Sequence, residues 1–164
     1  MRSRMHKLTR GYWLVAVLVL LFCGVAQARD IEGAWRLVMR KLPDGTTLVP
    51  PAIHGSATTH AGVSSRIVFW HTPDGKPAFV SAISNVKMSE TEYTEKLLFM
   101  VFDDGSGKPP VYNLAGDTKT SPITHDGQRI TYKLPFDPPS VTIDGDKSTA
   151  TAEGAFVDYW ERVR

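Results

Sequence analysis

The sequence predicts an all-β protein, an antiparallel up-and-down barrel of roughly eight to ten strands. Three observations lead there. Asp-Gly, the strongest short hairpin signal, occurs five times, at Asp44-Gly45, Asp74-Gly75, Asp104-Gly105, Asp126-Gly127 and Asp144-Gly145. Between these pairs lie runs with two-residue alternation or strand-forming composition. No long amphipathic helix interrupts them. Ser89-Glu90-Thr91-Glu92 looks like a capping box, but Tyr93 and Thr94 are strand formers and the apolar run behind them lacks helical spacing.

The elements read in order as follows. Ala34 to Lys41 alternates, with Trp35, Leu37 and Met39 on one face and Arg36 and Arg40 on the other. Residues 50–64, with Pro50-Pro51, Gly55 and Gly62, read as a long loop or a short helical turn. Arg66 to Thr72 carries Ile67-Val68-Phe69-Trp70. Ala78 to Met88 places Val80, Ala82 and Ser84 on one face, which would leave a cavity if it pointed inward. Tyr93 to Phe102 ends in a dense apolar run, and Val111 to Ala115 is short. Arg129 to Leu134 sets Ile130, Tyr132 and Leu134 against Arg129, Thr131 and Lys133. Val141 to Ile143 and Ala155 to Arg164 complete the series. Sequential hairpins favour a closed barrel, because closure removes exposed strand edges.

The first 28 residues read as an address. Arg2, Arg4, Lys7 and Arg10 precede an apolar run from Tyr12 to Cys23, which ends at Ala26-Gln27-Ala28. This is the pattern of a cleaved signal peptide, and the run is shorter than the roughly 20 residues of a membrane span. An uncleaved anchor is the alternative; lipidation at Cys23 is disfavoured by the bulky Phe22 before it. Cleavage after Ala28 leaves one domain, residues 29–164, exported to the periplasm or secreted. That body loses the only cysteine of the chain, so its core must stabilise it without disulfides. It also loses four of the 19 basic residues and none of the 17 acidic ones, and becomes net acidic. A net-acidic body argues against nucleic acid as partner. The expected species is a soluble monomer with no stable membrane insertion after cleavage.

Motif chemistry is sparse. His54, His60, His71 and His125 make no short two-ligand metal pattern, and the stretch around His54 and His60 reads as a solvated loop. Gly105-Ser106-Gly107-Lys108 lacks the spacing and following helix of a phosphate loop. Asp144-Gly145-Asp146 lacks the distal glutamate of a calcium loop. Glu90, Glu92 and Glu95 have acid–base potential, but at this spacing they read as a solvated face. No catalytic residue, metal or cofactor is therefore assigned. The aromatic side chains Trp70, Phe79, Tyr93, Phe99, Tyr112 and Tyr132 are the candidate pocket.

Gly33-Ala34-Trp35-Arg36-Leu37-Val38 opens the body and Asp158-Tyr159-Trp160-Glu161-Arg162-Val163 closes it. This pairing resembles the lipocalin-like (calycin) families, in particular small bacterial exported lipocalin-like domains, which open with a Gly-x-Trp strand and end in a Trp-x-Arg strand. Glu92-Tyr93-Thr94-Glu95-Lys96 is similar to a Tyr-Thr-Glu stretch in some of them. The resemblance implies that Trp35 plugs one barrel end, that Arg162 crosses its face, and that Gly33 permits the close approach. It also implies a barrel that binds a small apolar or amphipathic molecule. Two rivals stay open: a filled barrel acting as a scaffold, and a barrel isomerase or cyclase. A cavity of several hundred Å³ would favour binding or catalysis.

Overall fold

The computed structural model describes residues 31–164, so the expected signal segment 1–28 lies outside the described residues. The chain runs through β1 (Gly33–Lys41), β2 (Thr47–Leu48), β3 (Ile53–His60), β4 (Val63–His71), β5 (Pro77–Met88) and β6 (Glu92–Asp103). It continues through β7 (Val111–Asn113), β8 (Thr118–Asp126), β9 (Arg129–Lys133), β10 (Ser140–Asp144), β11 (Lys147–Ala152) and β12 (Phe156–Val163). Ten strands close a ring in the order β1-β3-β4-β5-β6-β8-β9-β10-β11-β12, and β12 returns to β1. Every pairing is antiparallel, with β2 and β7 as short additions to β1 and β6. The predicted closed up-and-down barrel is the fold.

The connections alternate between two ends. At the near end β1 begins and β12 finishes, beside the turns at Ala61-Gly62, 89–91, Gly127-Gln128 and Gly145-Asp146. The far end carries the connections 42–46, 72–76, 104–117, 134–139 and 153–155. Two of the Asp-Gly pairs make two-residue hairpins whose glycines, Gly127 and Gly145, both sit at φ 62°. The pairs at Asp44 and Asp74 lie in wider turns, closed by Leu42 N–H to Thr46 O at 2.8 Å and Thr72 N–H to Lys76 O at 2.9 Å.

Several sequence expectations are corrected. Residues 50–64 are neither loop nor helical turn: most of them form β3 and the start of β4. Their small residues carry little strand propensity of their own. A Cβ on Gly55 would stand 2.7 Å from Leu37 Cβ and 2.9 Å from Trp160 Cη2, so the strand must be thin here to fit beneath side chains from β1 and β12. β8 and β11 form without a clear sequence signal, because TKTSPITHD and KSTATA carry few large apolar residues. Pro122 in β8 is tolerated at a handover, where the strand stops pairing with β6 and starts pairing with β9 at Ile123.

The third correction concerns side-chain direction. β1 slips register against β12 between Leu37 and Met39. One extra residue reverses the alternation, so Arg40 turns inward and Met39 pairs with the outer-face Tyr159. A second slip, between Ile83 and Ser84, leaves Leu98 unpaired on β6. There Leu97 pairs with the buried Ser84, whereas Phe99 pairs with the exposed Ile83 on the outer face.

Candidate functional site

The interior contains a cavity of about 100 Å³ in its near half. Its apolar wall comes from Ile31, Trp35, Leu134, Val141 and Trp160. Its polar wall comes from Ser64, Arg66, Ser84, Tyr93, Glu95 and Tyr132. Space survives because Ala57, Ala82 and Ala150 supply thin walls on three strands. Ala82 and Ser84 do lie on the inward face of β5, where the strand's alternation put them.

Trp35 closes the cavity toward the near end. The Arg162 guanidinium carbon lies 4.3 Å from the centroid of the Trp35 ring, within cation–π range. The same guanidinium donates to the Glu32 carbonyl and lies 3.4 Å from Asp146 Oδ1. Gly33 has φ 112°, and a Cβ there would come within 2.9 Å of Arg162 Nη1. The positive φ requires glycine, and the missing Cβ lets the Arg162 guanidinium lie this close.

On the opposite wall the rings of Tyr93 and Tyr132 stack with centroids 4.5 Å apart. Burial is the main cause that pushes both phenols above the ordinary tyrosine value. The Glu95 charge adds to this, and the Arg66 charge opposes it. Neither phenol has a hydrogen-bond partner among the described residues, and both oxygens keep some accessible surface. They are neutral groups with free hydrogen-bonding capacity facing a void.

Glu95 corrects the solvated-face reading. It is 6% exposed, and its Oε1 accepts a 2.6 Å hydrogen bond from Ser84 Oγ. Glu90 and Glu92 are exposed, as expected. The signal for Glu95 was present: it lies two residues from Tyr93 and two from Leu97 on one face of β6. Arg66 projects from β4 and pairs with Asp137, from the far-end connection 134–139.

The far half of the interior holds a buried ion pair. Arg40 and Asp158, 5% and 3% exposed, form a bidentate pair with N···O distances of 2.6 and 2.8 Å. The guanidinium carbon lies 3.9 Å from the Phe156 centroid and 5.0 Å from that of Trp70. Burial pushes the Asp158 carboxyl above its usual value, and the two bonds from Arg40 pull against that rise. The period-two series Phe156, Asp158, Trp160 carried a signal for an inward Asp158; nothing in the alternation of β1 marked Arg40.

The six candidate pocket aromatics therefore separate. Tyr93 and Tyr132 come together on the cavity wall. Trp70 packs inside the far half against Arg40 and, tilted, against Phe102 at 6.5 Å. Phe79 pairs with Phe69 on the outer face, and Phe99 also faces out. Tyr112, on β7, is 60% exposed. Phe79, Phe99 and Tyr112 are thus removed from the pocket. Phe79 is out of phase with Val80 by one residue, and Phe99 is turned out by the bulge at Leu98.

Comparison of the chain with protein-family models, curated proteins and solved structures finds no match. The functional reading therefore rests on the site. Among the described residues no group of three His, Cys, Asp or Glu is placed to hold a metal ion.

Proposed function

We propose that this barrel is an exported binding protein that holds one compact amphipathic molecule in its near-half cavity. The observation that carries the reading is the divided wall. Trp35 and Trp160 offer apolar faces, while Tyr93, Tyr132 and Glu95 offer unspent polar capacity across the same space. In a filled scaffold these groups would be spent on one another or covered by the core, whereas here the two phenol oxygens stay accessible. The volume, about 100 Å³, falls short of the several hundred Å³ expected of a binding barrel and limits the ligand to one no larger than benzene, which takes an apolar cavity of about 150 Å³.

Export is supported by the basic segment, apolar run and Ala26-Gln27-Ala28 at the start of the chain. N-terminal sequencing of exported protein should begin at Arg29. The lipocalin-like reading is supported by the Gly33, Trp35 and Arg162 arrangement, which has the plug geometry that the resemblance implies.

The test is an NMR titration of the purified protein with an apolar probe no larger than benzene. One-to-one binding is expected, and Tyr132→Ala should weaken it more than Lys133→Ala. Absence of binding, with no small molecule retained in native mass spectra of protein taken from its own host, would overturn the reading in favour of the scaffold.

A further inference from the structure

The charges inside the barrel do not balance locally. Arg40 is matched by Asp158, Arg66 by Asp137, and Arg162 by Asp146. Glu95, 6% exposed, is nearly as buried as Arg40 and Asp158, yet its hydrogen-bond partner is the neutral hydroxyl of Ser84. No Lys, Arg or His of the described residues stands within ion-pair distance of it. A buried carboxylate without a counter-charge is costly, and a cation delivered to it recovers much of that cost. The groups around Glu95 suit a cation. The phenol oxygens of Tyr93 and Tyr132 can accept from an ammonium, and the indoles of Trp35 and Trp160 present π faces to the same cavity. Arg66 also lines the cavity, but its charge is already met by Asp137.

We propose that the ligand is a compact amphipathic amine. Its ammonium group is received by Glu95 with the Tyr93 and Tyr132 hydroxyls, and its apolar part lies against Trp35 and Trp160. This rests on the carrier reading and names the chemistry of the ligand. Specificity follows from charge: a neutral molecule of the same shape leaves Glu95 without a counter-ion, and a carboxylate of that shape adds repulsion.

The experiment is an NMR titration of the purified protein with n-butylammonium, n-butanol and butyrate, which share one chain and differ in charge. Butylammonium should bind at least tenfold more tightly than butanol, with butyrate weakest. Glu95→Gln keeps an acceptor for Ser84 and should bring butylammonium down to the level of butanol. Equal binding of butylammonium and butanol by the wild type overturns the inference and spares the carrier reading, without any need for the variant to fold. Tightest binding of butyrate also overturns it and assigns the ligand's charge to Arg66. If none of the three binds while the apolar probe does, the inference again fails alone. If no probe binds, the inference and the carrier reading fall together.

Discussion

The near half of the barrel interior is walled by Trp35, Trp160, Tyr93 and Tyr132 around a void, whereas the far half packs Arg40 and Asp158 between Phe156 and Trp70. Both halves hold buried charge. In the far half the pair is bidentate and its remaining surface is covered by aromatic rings. In the near half Glu95 is left with a neutral partner and two phenols with none. A ring of ten strands is wider than the eight-stranded ring whose interior side chains can just fill. The far half meets that width with a long Arg in an aromatic sandwich, and the near half leaves part of it open. The difference separates an ion pair that acts as core from polar groups kept free for something else.

The largest break in that comparison is expected at the far pair. Asp158→Ala strands a buried guanidinium and should lower unfolding free energy by about 3–5 kcal/mol in urea titrations. Replacing both partners, Arg40→Met with Asp158→Leu, should recover most of the loss. A double variant as unstable as the single one would show that the pair contributes more than mutual neutralisation.

Added bulk should sort the halves next. Ala78 and Ala82 both face inward on β5, four residues apart, with Ala78 beside Trp70 and Ala82 on the cavity wall. Ala78→Val should cost about 1–3 kcal/mol by overpacking. Ala82→Val should change stability by less than about 1 kcal/mol while reducing probe binding. Equal costs in thermal melts would mean that the near half is as tightly packed as the far one.

Alkaline titration sharpens the near half alone. Tyr93 and Tyr132 have raised folded-state values, so the stability they contribute is fully present below the ordinary tyrosine value of about 10 and declines as pH rises beyond it. Each should cost up to about 1.4 kcal/mol per pH unit there. Tyr132→Phe should flatten the decline measured by urea unfolding at a series of alkaline pH values, whereas Tyr112→Phe, on the exposed β7, should not. At the plug, Arg162→Ala should cost roughly 0.5–2 kcal/mol, as read by urea unfolding.

The candidate site was legible in part. Tyr132 and Ala82 could be placed because β9 and β5 alternate without interruption on their inward faces, and Tyr93 lies in phase with Leu97. Arg40 and Phe99 were misplaced because each follows a one-residue slip, and a slip is a property of two paired strands. Glu95 was passed over because a lone carboxylate near a strand's start is indistinguishable from a solvated one until the partner strand brings Ser84 to it.

By itself the sequence determined the all-β class and the hairpin positions at Gly127 and Gly145, which follow from local backbone preference. The Gly33, Trp35 and Arg162 arrangement was implied by the resemblance alone, and the ring contact is seen only in the structure. Only the tertiary structure decided that Gly55 belongs to a strand, that Arg40 faces Asp158, and that Glu95 lies buried beside a cavity. Each of those outcomes depends on which strand lies alongside and in what register, and closing the ring sets both at once.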